Sequence, residues 1–371
     1  MNINYISNSA VPSRNASSIQ IIKMCESFSS LGHNVELLIP NTGDKNQNIF
    51  KFYGVKSKFK IRKLSLFNKF PIGFNYYFFA FITLIYSKKF KSDLLITRNF
   101  FVCFLSYFFR QKIIFEIHHG IETEGRLIQF LLKLCRFLNF KNVVKIVAIS
   151  KGIKEYYISN FKINEKKISV YPSGSSIKKK NLPIQKYKPL NIGYFGTIYK
   201  SRGLDLVLKL SKIDSWNNYY IFGGSKNDID KIKRKNNQKN LFLSSYQPYN
   251  KIGDLLTKVD ISILPYVSNI TVAGNVGDIT KFTSPLKLFD YMSCGKIILC
   301  SNYKVLREVL TNKNAIFIDN YRNPFSWKMA ISKVKNSPNK NFIMGKNNYI
   351  EADKYNLKRR ARNILKEKCI Y

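Results

Sequence analysis

The strongest constraint on the fold is an alternation that runs through the sequence twice. Short apolar runs of strand length are separated by longer segments of helical length, starting at residue 2 and again at residue 190. Runs rich in Ile, Val and Leu without polar alternation are buried on both faces. That is the mark of parallel strands covered by crossover helices. Strands are predicted over 2–6, 34–39, 93–97, 112–117, 144–149 and 167–171, with helices over 17–31, 74–87, 99–109, 124–139 and 150–159. Residues 41–70 are polar, then basic, and read as a variable excursion. The second half has strands over 190–196, 218–222, 240–243, 260–264, 296–300 and 315–318, with helices over 203–212, 226–234, 250–257, 284–293, 303–310 and 324–335. The predicted class is α/β, with two Rossmann-like doubly wound domains at 1–176 and 190–340. Between them lies a Lys-rich linker, 177–189, holding two prolines, and a basic helical tail follows at 341–371. A chain of 371 residues is long enough for two separate cores.

Within the second half, Phe282 to Lys296 carries the most chemistry. Ser284 and Pro285 read as an N-cap and first helical residue, and Gly295 stops the helix ahead of the buried strand Ile297-Ile298-Leu299-Cys300. The unpaired N–H groups of a helix start suit a phosphate, and Lys287 adds a full charge in the first turn. Asp290, three residues on, offers a carboxylate to a ribose diol. A nucleotide-sugar diphosphate needs that combination.

These residues resemble the signature of the retaining nucleotide-sugar glycosyltransferases of family 4, Ser-Pro-x-Lys-x-x-Glu-x-x-Ala-x-Gly-x-Pro. Ser284, Pro285, Lys287 and Gly295 match it, and Asp290 stands where Glu is usual. A second Glu that the family often carries is Phe282 here. The resemblance extends along the chain: Ser9-Ala10-Val11-Pro12 with Ser17–Gln20, Ala148–Ile153, Tyr171–Gly174, Gly193–Gly196, Lys200–Asp205 and Asp260–Tyr266 fall in the family's order and spacing. It implies the GT-B fold, two Rossmann-like domains facing across a cleft, with the C-terminal helix returning to the first domain.

The resemblance also implies a distribution of roles. Gly196, Arg202, Lys287 and the backbone of Ser284, Pro285 and Leu286 would cradle the donor diphosphate, and Asp290 would hold the ribose. Breaking the glycosidic bond builds negative charge on the leaving phosphate, which fixed donors and cations stabilise without a metal. Thr197 stands where the family often has an Arg, so Arg202 must carry more, with Lys200 as a substitute. His118, at the end of Phe115-Glu116-Ile117-His118-His119-Gly120, matches a strand-end His that contacts the donor sugar, and is the expected catalytic residue. Ser9, Ser13, Arg14, His119, Glu122 and Glu124 are expected acceptor or sugar contacts, and Asp278 a replacement for the Glu missing at Phe282. Retention would follow, with the leaving phosphate receiving the acceptor's proton. No metal or other cofactor is expected.

Charge and composition limit the remaining choices. The formal net charge of +40 attracts anions, although Lys, Asn, Ile, Phe and Tyr are abundant together, as an AT-rich genome produces. The six cysteines lack metal-binding spacing and read as reduced core residues. The N-terminus enters a strand directly, so no signal peptide is predicted. The expected place is cytoplasmic and peripheral on the membrane: the aromatic run 74–81 beside Lys88, Lys89 and Lys91, with the basic cluster Lys56, Lys58, Lys60, Arg62 and Lys63, fits an anionic lipid surface. The function expected is transfer of a hexose-type sugar from a nucleotide sugar to a glycan or lipid-linked acceptor in surface polysaccharide or lipopolysaccharide synthesis. A nucleotide-sugar epimerase of the same fold is the enzymatic alternative, and a polyanion-binding protein the non-enzymatic one. The chain lacks every nucleic-acid-binding signature, so no nucleic-acid partner is expected. It also lacks the G-x-G-x-x-G of a dehydrogenase.

Overall fold

The structure, a computed structural model, describes residues 1–42, 48–66, 72–182, 189–198, 202–267, 270 and 278–366. The chain divides into two compact units, Met1–Ser173 with the segment from Leu357 onward, and Gly174–Asn356.

Unit 1 runs β1 (Asn2–Ile6), α1 (Ala16–Ser29), β2 (Asn34–Pro40), α2 (Ile49–Tyr53), β3 (Lys60–Leu64), α3 (Ile72–Lys89), β4 (Leu94–Thr97), α4 (Phe100–Ser106), β5 (Ile113–Ile117), α5 (Arg126–Cys135), β6 (Val143–Ala148), α6 (Lys151–Phe161) and β7 (Ile168–Val170). Its seven strands are all parallel, in the order β3-β2-β1-β4-β5-β6-β7. Every residue of β4 and β5 is buried, which explains their unbroken apolar character. The order reverses direction at β1 and β4, so the loops after these strands open together at the carboxyl edge, where open α/β sheets bind ligands.

Unit 2 runs β8 (Asn191–Phe195), α7 (Leu204–Ile213), β9 (Asn218–Phe222), α8 (Lys226–Lys235), β10 (Leu241–Ser244), α9 (Tyr249–Leu256), β11 (Ile261–Leu264), α10 (Leu286–Ser293), β12 (Ile297–Ser301), β13 (Ala315–Ile318), α11 (Pro324–Lys335) and α12 (Pro338–Glu351). Six parallel strands lie in the order β10-β9-β8-β11-β12-β13. The last helix, α13 (Leu357–Leu365), belongs to unit 1: Leu357, Ala361, Ile364 and Leu365 join the core beneath α1.

Several elements differ from the sequence expectation. Residues 60–64 form a parallel edge strand within the segment read as an excursion; its three cations hid it, and charge is a usual feature of exposed edges. Residues 303–310 form only a 3-10 turn at Leu306–Glu308, although Val305, Leu306 and Leu310 are buried. The tail does not start its own unit at 341. Helix α12 stays with unit 2, where buried Asn348 donates to the carbonyls of Lys296 and Asn314 at 2.8 and 2.7 Å. Division falls instead at Asn356/Leu357, and the front boundary lies at Ser173/Gly174, ahead of the linker expected at 177–189. Cys25, Cys103, Cys294 and Cys300 are buried thiols and Cys135 is half-buried, none in a disulfide; Cys369 lies outside the described residues.

Candidate active site

Helix α10 begins one residue later than Ser284-Pro285 suggests. Pro285 itself is the N-cap, extended at φ −71° and ψ 127°, and no side chain caps the helix. The ring fixes φ in the range of an extended entry as readily as of a first helical turn, so Ser284 is displaced one position upstream. Helix α10 therefore starts at Leu286 behind an N-cap residue that has no side-chain oxygen to offer, and a helix N-terminus favours an anion.

Lys287 sits in that first turn, over two aromatic faces. Its Nζ lies 4.9 Å from the Tyr194 ring centroid and 5.3 Å from that of Tyr266. The Arg202 guanidinium lies over the same Tyr266 ring at 5.5 Å. Among the described residues no carboxylate pairs with Lys287. Burial, with the Arg202 charge nearby, pushes its ammonium down to about 7. The ring faces recover part of the desolvation cost, roughly 0.5–2 kcal/mol per contact. Lys287 and Arg202 thus share one aromatic shelf.

Glycine is required where the backbone passes beneath this shelf. Gly196 has φ +154°, and a Cβ there would meet Lys287 Nζ at 3.1 Å. Gly223, at φ +153°, packs against it so closely that a Cβ would overlap the Gly196 carbonyl oxygen at 1.7 Å. The loop after β8 is held open by these contacts, and Tyr194 ties it by donating to the Thr197 carbonyl at 2.8 Å. Gly196, Arg202, Pro285, Leu286 and Lys287 are thereby gathered at one end of the unit 2 sheet.

Asp290 is placed differently from its expected role. It is 4% exposed, and its Oδ1 accepts from Ser175 at 2.6 Å and Tyr249 at 2.9 Å. Burial raises its carboxyl to about 7, with both hydroxyls opposing the rise. Ser175 lies 115 residues away in sequence, so this contact could not be read from a motif. Asp278 is exposed and accepts from the Thr280 amide at 2.8 Å, closing a local turn. Lys200 and Asn275–Gly277 lie outside the described residues.

In unit 1, His118 follows β5 and makes a 2.6 Å contact from Nε2 to Glu116 Oε1. Glu116 is 2% exposed and binds much more: Arg98 at 3.2 Å, Arg360 of α13 at 3.0 Å, and the Tyr5 hydroxyl at 3.4 Å. Burial opposes its ionisation, but Arg360, Arg98 and His118 together hold its carboxyl well below the usual range. Burial, then the Arg98 charge, pushes His118 down to about 3, so its ring is neutral at working pH. With Glu116 ionised, Nε2 carries the proton and Nδ1 is left basic. Sequence reasoning passed over Glu116, Arg98 and Arg360. A lone carboxylate inside the apolar run Ile113–Ile117 was the available signal, because a buried charge must be paired.

The other expected contacts spread around the same edge of unit 1. His119 Nδ1 lies 2.5 Å from the Thr123 hydroxyl, and its Nε2 3.7 Å from Glu124. Glu122 accepts from Tyr156, and Glu124 from Tyr76. Ser9 is half-buried with its amide on Ser7 Oγ; Ser13 is joined to Tyr53; Arg14 is exposed. None of these groups forms a metal site: among the described residues no three His, Cys, Asp or Glu side chains are placed to hold an ion.

Known proteins bear on this arrangement. The family model "Glycosyltransferase Family 4" matches residues 18–178, and the model "Glycosyl transferases group 1" matches residues 176–351. An uncharacterised glycosyltransferase of Methanocaldococcus jannaschii is 25% identical over 325 residues, 80% of this chain and 79% of its own. Among solved structures, Anabaena HepE in complex with UDP-glucose superimposes with a TM-score of 0.71 at 11% identity, covering 98% of each chain. WaaG, a glycosyltransferase involved in lipopolysaccharide biosynthesis, gives 0.64 at 11% identity, over 98% of this chain and 100% of its own. At such identities the structures speak for the fold alone. Both units carry the parallel sheets that this architecture requires, and the two family matches in succession take up residues 18–351: the chain is a glycosyltransferase of the GT-B group 1 family.

Proposed function

We propose that the enzyme transfers a hexose-type sugar from a nucleoside diphosphate sugar to a glycan or lipid-linked acceptor, with retention of anomeric configuration. The observation that carries this reading is the Lys287 ammonium, without a carboxylate partner among the described residues, placed with the Arg202 guanidinium on the Tyr194–Tyr266 shelf at the start of α10. A diphosphate supplies a negative charge opposite the Lys287 ammonium. Its two phosphates would meet the Lys287 ammonium, the Arg202 guanidinium and the amides at Leu286, while Gly196 keeps the approach free of a Cβ. As the glycosidic bond breaks, charge grows on the β-phosphate, and these groups are already oriented toward it. No metal is needed for that step in this reading. His118, neutral and fixed by Glu116, is proposed to orient the transferred sugar, with Ser9, Arg14, His119, Glu122 and Asp278 as sugar or acceptor contacts.

Asp290 enters the proposal with a double duty. Its Oδ1 anchors Ser175 and Tyr249, and its carboxyl remains the nearest acid on the Lys287 helix for a ribose. Retention follows from the proposed same-face attack, in which the leaving phosphate takes the acceptor's proton. Support for surface-glycan synthesis comes from WaaG, whose own role is in lipopolysaccharide biosynthesis. Among the described residues no helix is long and apolar enough to cross a membrane, which agrees with work on the cytoplasmic side.

The test is a panel of nucleotide sugars incubated with the purified enzyme, with released nucleoside diphosphate as the readout. One donor should be hydrolysed slowly without acceptor and faster with lipid-linked glycan, chelator having no effect. Failure to turn over any nucleotide sugar, with or without acceptor, would sink the donor assignment.

A further inference from the structure

Unit 1 presents an apolar face that its own core does not use. Helix α5 is apolar on two sides. Ile128 and Leu132 are buried, whereas Leu127, Phe130 and Leu134, spaced i, i+3 and i+7, are 48%, 59% and 67% exposed. Residues at that spacing form one stripe along a helix. Arg126 and Lys133 lie about a third of a turn to one side of it, and Arg136 follows the helix.

The stripe continues onto its neighbours. The Phe104 ring of α4 lies 5.6 Å from Phe137, just past α5, and 5.5 Å from Phe108, which is 63% exposed. Phe81 of α3, itself exposed, reaches Phe109 at 5.9 Å. At the other end, a Cβ on Gly125, the N-cap of α5, would meet the Tyr77 hydroxyl of α3 at 3.7 Å. The exposed aromatic and aliphatic groups therefore sit on one side of the sheet.

Charge along these three helices is positive, although Glu122 and Glu155 stand exposed in the segments before and after them. Residues 72–92, 98–115 and 126–154 contain no Asp or Glu, yet carry exposed Lys88, Lys89, Arg110, Lys133 and Arg136. The carboxylates that precede α5, Glu122 and Glu124, are engaged by Tyr156 and Tyr76. Such a face repels a second copy of itself, because joining two copies would bring cations against cations. A surface that offers hydrocarbon and negative charge together satisfies it, and an anionic lipid bilayer does so.

We propose that α5, with the exposed ends of α3 and α4, is a docking surface for an anionic membrane. Leu127, Phe130, Leu134 and Phe108 enter the interface and the flanking cations rest on lipid headgroups. This differs from the surface that the sequence suggested. In the run 74–81, Phe79 and Ala80 are core residues. Arg62 is committed to Glu36 at 2.9 Å and to the Tyr86 ring at 4.8 Å, on the β3 edge of the sheet and away from the β5–β6 crossover. The inference is independent of the donor site, so either can fail alone.

Vesicle sedimentation tests it, using the full chain with phosphatidylglycerol-rich vesicles, neutral phosphatidylcholine vesicles and no vesicles. Wild type should sediment with the anionic vesicles at low salt, release at high salt, and ignore neutral ones. The triple variant Leu127→Ser, Phe130→Ser, Leu134→Ser removes only exposed side chains, and should bind anionic vesicles at least about tenfold more weakly. Its denaturant unfolding curve should match that of wild type, which shows that it is folded. The control Phe342→Ser, Ile343→Ser, an exposed apolar pair of α12, should sediment as wild type. A fluorescent Phe130→Trp variant should shift to the blue with anionic vesicles. Equal sedimentation of the triple variant and wild type would overturn the proposal. So would concentration-dependent dimerisation that the triple substitution abolishes, because the face would then belong to a second copy.

Discussion

Both units bury cations at the carboxyl edge of a parallel sheet, but they settle the charge in opposite ways. In unit 1, Arg98 and Arg360 converge on Glu116, and His118 and Tyr5 complete its shell. In unit 2, Lys287 and Arg202 converge on ring faces, and among the described residues no carboxylate pairs with Lys287. The contrast separates charge that supports a fold from charge that waits for a ligand. A paired buried ion contributes when it is left intact and costs heavily when one partner is removed. An unpaired one costs stability until a diphosphate arrives, and is retained for binding.

The largest effect expected from this contrast is on stability. Glu116→Ala leaves two guanidinium groups facing each other, and should cost roughly 3–5 kcal/mol in denaturant unfolding of the intact chain. Lys287→Ala should instead leave stability unchanged or improved, because it removes a half-buried cation that pairs with no carboxylate among the described residues. If both substitutions destabilise alike, the distinction between the two regions fails.

Next in size is catalysis. Lys287→Ala and Arg202→Ala should each lower turnover about 10²–10³-fold, or 3–4 kcal/mol, the scale of a contact that strengthens as the leaving group departs. Variants that remain within about threefold of wild type would remove these residues from the donor site.

Asp290→Asn sharpens the comparison at a point where the two kinds of charge meet. Loss of charge-assisted bonds to ribose should weaken nucleoside diphosphate binding by roughly 1.5–3 kcal/mol. Its effect on stability depends on pH. The folded carboxyl is raised to about 7 from an ordinary 3.8, so the native protein holds the extra proton and loses stability as pH climbs from about 4 to 7. The Asn variant lacks this decline, and the difference between the two stability curves should grow in that window and level off above it. A difference curve that is flat with pH would show that the carboxyl titrates normally.

The smallest effect concerns His118. A ring held near 3 by burial and Arg98 takes up no proton near neutrality, so the pH profile of activity should show no inflection of its own near 6.5. The folded value is depressed, hence its contribution to stability is present above about 6.5 and is lost as pH falls toward 3. Nitrogen chemical shifts of the His118 ring should report the Nε2–H tautomer in wild type, and a mixture in Glu116→Gln.

Much of this was legible in the sequence, for physical reasons that also explain what was not. Buried parallel strands advertise themselves, and β1 (Asn2–Ile6), β9 (Asn218–Phe222) and β13 (Ala315–Ile318) fall at the residues expected. The edge strand β3 did not, because its cations suit solvent on one side of the ladder. The residues expected to face a phosphate formed a motif because they share one helix start. The shelf under them did not, since Tyr194 and Tyr266, 72 positions apart by number, read as ordinary core aromatics. Arg360 lies 244 residues from Glu116, and only the return of α13 to unit 1 joins them.

The measurement that tests the account most directly is calorimetric titration of the nucleoside diphosphate identified by the donor panel into wild type and Lys287→Met, in buffers of different ionisation enthalpy. Free Lys287, pushed down to about 7, is largely neutral at about pH 8, and a bound diphosphate restores its proton. Wild type should therefore take up close to one proton on binding at about pH 8 and much less at about pH 6, with affinity falling as pH rises above 7. The Met variant should bind more weakly and take up none through this group. Equal affinity and equal proton uptake in the two proteins would contradict the claim that this unpaired cation is built for a diphosphate.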